Sequence, residues 1–185
     1  MKKYTSQEML EAWRRRLGFD DARLDCTVER FDGRDVNAVI TDAMRQWYLG
    51  LLDTAPAHLL PRRKAACTVD AVDATRRLGR AALPEDARRV IEASSGHWIL
   101  NARPTDFAEA LPRLYAIASP YINASAADPL LIVGDSAIYA APAEQGDTIT
   151  LSIIAPPADG SYELDESLMA TIPEQLFEGE VSAAL

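Results

Sequence analysis

Ser136, which follows Val133-Gly134-Asp135 at the end of an apolar run, is the residue best placed to act as a nucleophile. A serine hydroxyl attacks only when a neighbouring base accepts its proton. His58 and His97 both precede it and no histidine follows, so no downstream Asp-x-x-His can supply that base. The two histidines show no H-x-x-E or H-x-x-x-H spacing, and no metal centre is expected from them. Asp20-Asp21, Glu85-Asp86 and Asp165-Glu166 are adjacent carboxylates. Neighbours on a chain do not set up acid/base geometry, so these read as caps, turns or solvated faces. Cys26 and Cys67 lack C-x-x-C spacing and read as two buried thiols. Neither G-x-G-x-x-G nor a Walker A string is present, which argues against a phosphate cradle. No catalytic, cofactor-binding or metal residue is assigned, and the expectation is a chain that works through its surfaces.

The elements that position these residues are uneven in their signals. Thr5-Ser6-Gln7-Glu8 is a capping box, with Tyr4 and Met9 at staple positions and Met9, Leu10, Trp13 and Leu17 forming an apolar face up to Gly18. Arg14-Arg15-Arg16 suits the C-terminal end of that helix. Arg23 to Phe31 alternates weakly, as a short strand would. Val36, Val39, Ile40, Ala43, Met44, Trp47, Tyr48, Leu51 and Leu52 recur at helical spacing and predict a second amphipathic helix. Trp47 and Tyr48 stand on its stripe as core residues and as candidates for an interface.

Beyond Pro56 and Pro61 short strands are expected at Cys67–Val69, Arg88–Ala93 and Trp98–Ala102, the last two joined by a Ser94–His97 hairpin turn. Thr105 caps a short helix reaching Pro112 or Tyr115. A second hairpin runs Leu130–Val133, turn Gly134-Asp135, then Ser136–Ala140, and Thr148–Ala155 alternates as one more strand. Glu166–Leu185 reads as a helix broken by Pro173. The fold class is α+β: N-terminal helices, a β-rich middle of short antiparallel strands and hairpins, and a C-terminal helix. A helical N-terminal region over 1–60 and a β-rich region with a helical tail over 61–185 are expected, either as two parts or as one compact domain.

Charge divides the chain more sharply than any motif. All 19 Lys and Arg lie at or before Arg113, whereas the residues after it carry 11 of the 28 carboxylates and account for the net charge of −9. Carboxylates without cations nearby in sequence must be solvated, must face a cationic partner, or must form a negative surface. Glu163, Asp165, Glu166, Glu174, Glu178 and Glu180 are therefore interface candidates, with Arg62, Arg63, Arg76, Arg77 and Arg80 as their cationic counterparts. A pI near 4.7 argues against specific nucleic-acid binding. Hydrophobic content of 48% with 25% charged residues is ordinary globular composition, and no apolar run approaches the ~18–20 residues of a membrane span. With neither a span nor a secretory signal at the start, the protein is expected to be soluble and made in a cytoplasm.

Two resemblances bear on function. Gly134-Asp135-Ser136 resembles the nucleophile block of GDS-type serine esterases, which implies ester hydrolysis through Ser136. That family's downstream histidine is missing here, and a two-residue hairpin turn accounts for Gly134-Asp135. A longer order of features begins with Trp47-Tyr48 and a Pro-rich exit, followed by Leu83-Pro84-Glu85-Asp86-Ala87-Arg88-Arg89-Val90-Ile91 and Trp98. Ser119-Pro120-Tyr121, Asn123, Asp128-Pro129, Ile138-Tyr139-Ala140-Ala141-Pro142 and Ala155-Pro156-Pro157 continue it. This order resembles tailed-phage head–tail connector proteins, the neck or adaptor ring subunits of short-tailed phages and prophages. The chain departs from them in placing Ala87 where an aromatic residue is typical and in lacking an Arg-rich stretch before the proline-containing hairpin.

The connector resemblance implies a non-enzymatic virion protein, made in the bacterial host cytoplasm. It would assemble with itself into a ring against portal and tail proteins, without cofactor, metal or membrane. Rings use heterologous interfaces, so the Arg-containing part of one subunit could meet the acidic part of the next. An acidic ring lumen would instead let DNA pass without binding it. The alternatives are a cytoplasmic protein-binding adaptor module with an acidic interaction surface, and the esterase acting through Ser136.

Overall fold

The computed structural model describes residues 1–18, 35–73, 77–115 and 124–176. The fold is α+β. It divides into two compact units, Met1–Pro61 with Pro156–Leu185, and Arg62–Ala155. The sequence reading ran its second region from 61 to 185, whereas the segment after Ala155 groups with the N-terminal helices.

In the first unit, β1 (Lys2–Tyr4) leads into α1 (Ser6–Arg16). The expected capping box is present: the Glu8 backbone N–H donates to Thr5 Oγ1, and the Thr5 backbone N–H donates to Glu8 Oε2 at 2.7 Å. These bonds hold the Glu8 carboxyl below its ordinary range. Asp35 caps α2 (Val36–Thr54) by accepting from the Asn37 N–H at 2.9 Å. Val36, Ile40, Met44, Tyr48 and Leu52 are the buried positions of α2, the period of 3.6 read from the sequence. Late in the chain, β8 (Tyr162–Leu164) pairs antiparallel with β1, Lys3 opposite Glu163. A 3-10 helix over Glu166–Thr171 follows, capped by Asp165. The expected C-terminal α-helix is thus a single 3-10 segment as far as Leu176, where Pro173 denies the backbone an N–H donor. The rest of that expectation, 177–185, lies outside the described residues, as does the strand expected over Arg23–Phe31.

The second unit is a six-stranded sheet. Its strands are β2 (Arg62–Asp73), β3 (Leu78–Ala82), β4 (Arg89–Ser95), β5 (Leu130–Val133), β6 (Ala137–Ala141) and β7 (Thr148–Ile154), in the order β4-β7-β2-β3-β6-β5. Neighbours within this sheet are antiparallel. β2 serves two partners in turn: Arg62 to Thr68 pair with β7, then the register shifts between Val69 and Ala71 and the strand continues against β3. A bulge at such a point bends the strand and turns the sheet on itself.

The segment Ala102–Thr105 joins the two outer strands. Ala102 exchanges both backbone hydrogen bonds with Ala93 of β4, each at 2.8 Å, and the Thr105 N–H donates to the Leu131 carbonyl of β5 at 2.8 Å. The six-stranded sheet is therefore nearly closed into a barrel, its outer strands linked through isolated bridges at Ala102 and Pro104. Inside lie Val69, Ala81, Ile138, Ile149, Leu151 and Ile153. On β7 the intervening Thr148, Thr150 and Ser152 are exposed or half-buried, the alternation that a barrel wall requires.

Three local readings differ from the structure. Trp98–Ala102 is not the hairpin partner of β4: the single Ala93–Ala102 bridge remains of that pairing, and β7 takes the place of the hairpin strand. β3 was not foreseen, because Leu78-Gly79-Arg80-Ala81-Ala82 has no β-branched or aromatic residue to mark it. Its glycine is needed for packing, since a Cβ on Gly79 would stand 2.7 Å from the Ala143 Cβ and 2.8 Å from Val69 Cγ1. The helix expected after Thr105 is present as α3 (Phe107–Tyr115) with Pro112 inside it. The expected hairpin joins β5 to β6, but its turn falls one residue later: the Gly134 N–H donates to the Ala137 carbonyl at 2.8 Å, so Asp135-Ser136 form the turn and the strand starts at Ala137.

Candidate functional site

Trp47 and Tyr48 turn inward. Trp47 is half-buried, its ring set edge to face with Trp13 at 5.7 Å, and its Nε1–H donates to Thr171 Oγ1 at 3.2 Å. Tyr48 is buried. Its hydroxyl donates to the Glu163 carbonyl at 3.1 Å and accepts from the Glu163 N–H at 3.2 Å, and its ring meets Tyr162 at 5.0 Å. Both residues tie α2 to the segment around β8, so their candidacy for an interface gives way to packing. The physical reason is the width of the α2 stripe, which brings consecutive positions 47 and 48 onto the covered side.

Burial pushes the Tyr48 phenol up to about 12. The fold holds the neutral form, so this contribution is intact below the ordinary tyrosine value of about 10 and fades as pH rises through 12, a loss of about 2–3 kcal/mol. Tyr48→Phe is expected to remove that alkaline step. At neutral pH it costs about 1–3 kcal/mol, because the Glu163 N–H and carbonyl lose their partner. Urea unfolding at pH 7 and above pH 10 checks both statements.

The late carboxylates find cations from the opposite end of the chain. Lys2 Nζ meets Glu166 at 3.0 Å, Lys3 Nζ meets Asp159 at 2.5 Å, and Arg16 meets Glu174 at 2.8 Å. Lys3 and the Ser161 hydroxyl and N–H hold the Asp159 carboxyl well below the usual range. Asp165 is likewise depressed, by the Ser167 hydroxyl and N–H that it accepts as cap of the 3-10 helix. Glu163 is half-buried in β8.

The arginines expected to dock on this acidic end have carboxylates within their own unit. Arg63 pairs with Asp86, Arg77 with Glu144 at 3.4 Å, and Arg80 with Asp70 at 3.0 Å. Arg62 is exposed at the start of β2. Arg76, Glu178 and Glu180 lie outside the described residues. Of the candidates named for pairing between subunits, Arg63, Arg77, Arg80, Glu166 and Glu174 thus have partners within the chain, because folding brings together residues that a linear count keeps apart. Exposed pairs of this kind contribute only about 0–1 kcal/mol each.

Ser136 is exposed at the β5–β6 turn, where its carbonyl accepts from the Leu83 N–H at 3.0 Å. The one histidine of this unit, His97, sets Nε2 3.2 Å from Asp147 Oδ1, and the other Asp147 oxygen accepts from the Glu144 N–H at 2.8 Å. That places His97 against the turn before β7, engaged with a carboxylate. Among the described residues no group of three or more His, Cys, Asp or Glu converges as a metal site, and no helix is long and apolar enough to cross a membrane. Cys67 is a buried thiol whose pKa is raised by burial.

Two surface features escaped the sequence reading. The first is the loop after β4, where Ile99 is 76% and Leu100 59% exposed. Its backbone is pinned on both sides. The Trp98 indole N–H donates to the Pro142 carbonyl at 2.8 Å, the Ile99 N–H donates to the Ala126 carbonyl at 2.7 Å, and Ala102 is bridged to Ala93. Phe107, at the start of α3, is 59% exposed as well. The unbroken run Trp98-Ile99-Leu100, without the alternation of a half-buried strand, was the available signal. The second is an open groove in the helical unit, about 350 Å³, lined by Ala12, Arg15 and Arg16 of α1 and by Met169 and Ile172. Large apolar side chains held outward by a fixed backbone are a feature of docking surfaces. Comparison of the chain with known protein families and with curated proteins finds no match to either.

Proposed function

We propose that this chain is a non-enzymatic structural subunit of a phage or prophage particle, in the head–tail connector or neck ring. It is made in the host cytoplasm and resides in the virion. Its partners are other copies of itself and the portal and tail proteins. The observation that carries this reading is the Ile99–Leu100 loop, whose large apolar side chains face solvent on a hydrogen-bonded backbone. Such a preorganised patch keeps its shape before a partner arrives, so little ordering cost opposes docking. The connector-like order of motifs from Trp47 to Pro157 supplies the kind of assembly.

The test is whether the chain enters particles. Purified particles from a host producing them are expected to contain it in a fixed number of copies each, and mixtures with the cognate portal protein are expected to show rings in negative stain. A chain that remains monomeric beside portal and tail proteins, and is missing from particles, rules the reading out.

A further inference from the structure

We draw no further inference here: the strongest candidate, the open groove of the helical unit lined by Ala12, Arg15 and Arg16 of α1 and by Met169 and Ile172, is an apolar surface, and nothing in the structure shows what covers it.

Discussion

Trp13→Ala is expected to lower the stability of the helical unit by about 3–5 kcal/mol, the range for deleting a buried core aromatic. Trp13 is fully buried, and its edge-to-face contact with Trp47 joins α1 to α2. An alanine leaves a cavity that the fixed α2 stripe, Ile40 to Leu52, is poorly able to fill by collapse. The indole N–H is also a buried donor with no acceptor among the described residues, a burden of roughly 1–3 kcal/mol. Trp13→Phe keeps much of the aromatic volume and deletes that donor, so it is expected to cost far less than Trp13→Ala. Urea unfolding followed by near-ultraviolet circular dichroism reports both, because the Trp13–Trp47 coupling disappears in either variant. Equal losses for the two substitutions would mean that the indole N–H has an acceptor whose loss costs as much as the volume that phenylalanine retains.

Ala102→Pro is expected to open the barrel. Proline removes the N–H that donates to Ala93 and adds a ring where Ala102 is 2% exposed among Ala93 and Leu131 of the core cluster. The expected cost is about 3 kcal/mol or more. Its distribution is the informative part. Amides of β4 and β5 exchange faster, since their shared link is lost, whereas the Ala65–Leu151 region between β2 and β7 keeps its ladder and its protection. A uniform rise in exchange over all six strands would show that the Ala102–Thr105 segment is only a surface loop and that the barrel does not depend on it.

Some of this architecture is written locally in the sequence. The capping box at Thr5–Glu8, the stripe of α2 and the β5–β6 hairpin each lie within a short window, where caps, period and turn residues act on near neighbours. β3 is set by what surrounds it: Gly79 is there because Val69 and Ala143 leave no room for a side chain, and neither is adjacent in sequence. The choice of β7 over Trp98–Ala102 as neighbour of β4 is also non-local. It depends on Ile149, Leu151 and Ile153 filling a barrel interior that no linear pattern shows.

The charge split was legible as a count and misleading as a map. Lys2 and Glu166, 164 residues apart, become neighbours because β1 and β8 pair, and that pairing rests on strands of three residues each. Trp47 and Tyr48 were visible as stripe residues. Which way they faced was decided by Thr171 and Glu163, more than a hundred residues away. The exposed Ile99 and Leu100 went unseen for the opposite reason. An apolar run implies burial by default, whereas this one is pinned by hydrogen bonds donated to the Ala126 and Pro142 carbonyls and by the exchange between Ala102 and Ala93.

The connector role is tested most directly by quantitative mass spectrometry of purified particles from a host that produces this chain. A fixed, multiple copy number relative to the portal protein, retained after salt washing and lowered by Leu100→Ser, is the expected result. Particles that form normally and contain none of the chain would contradict it.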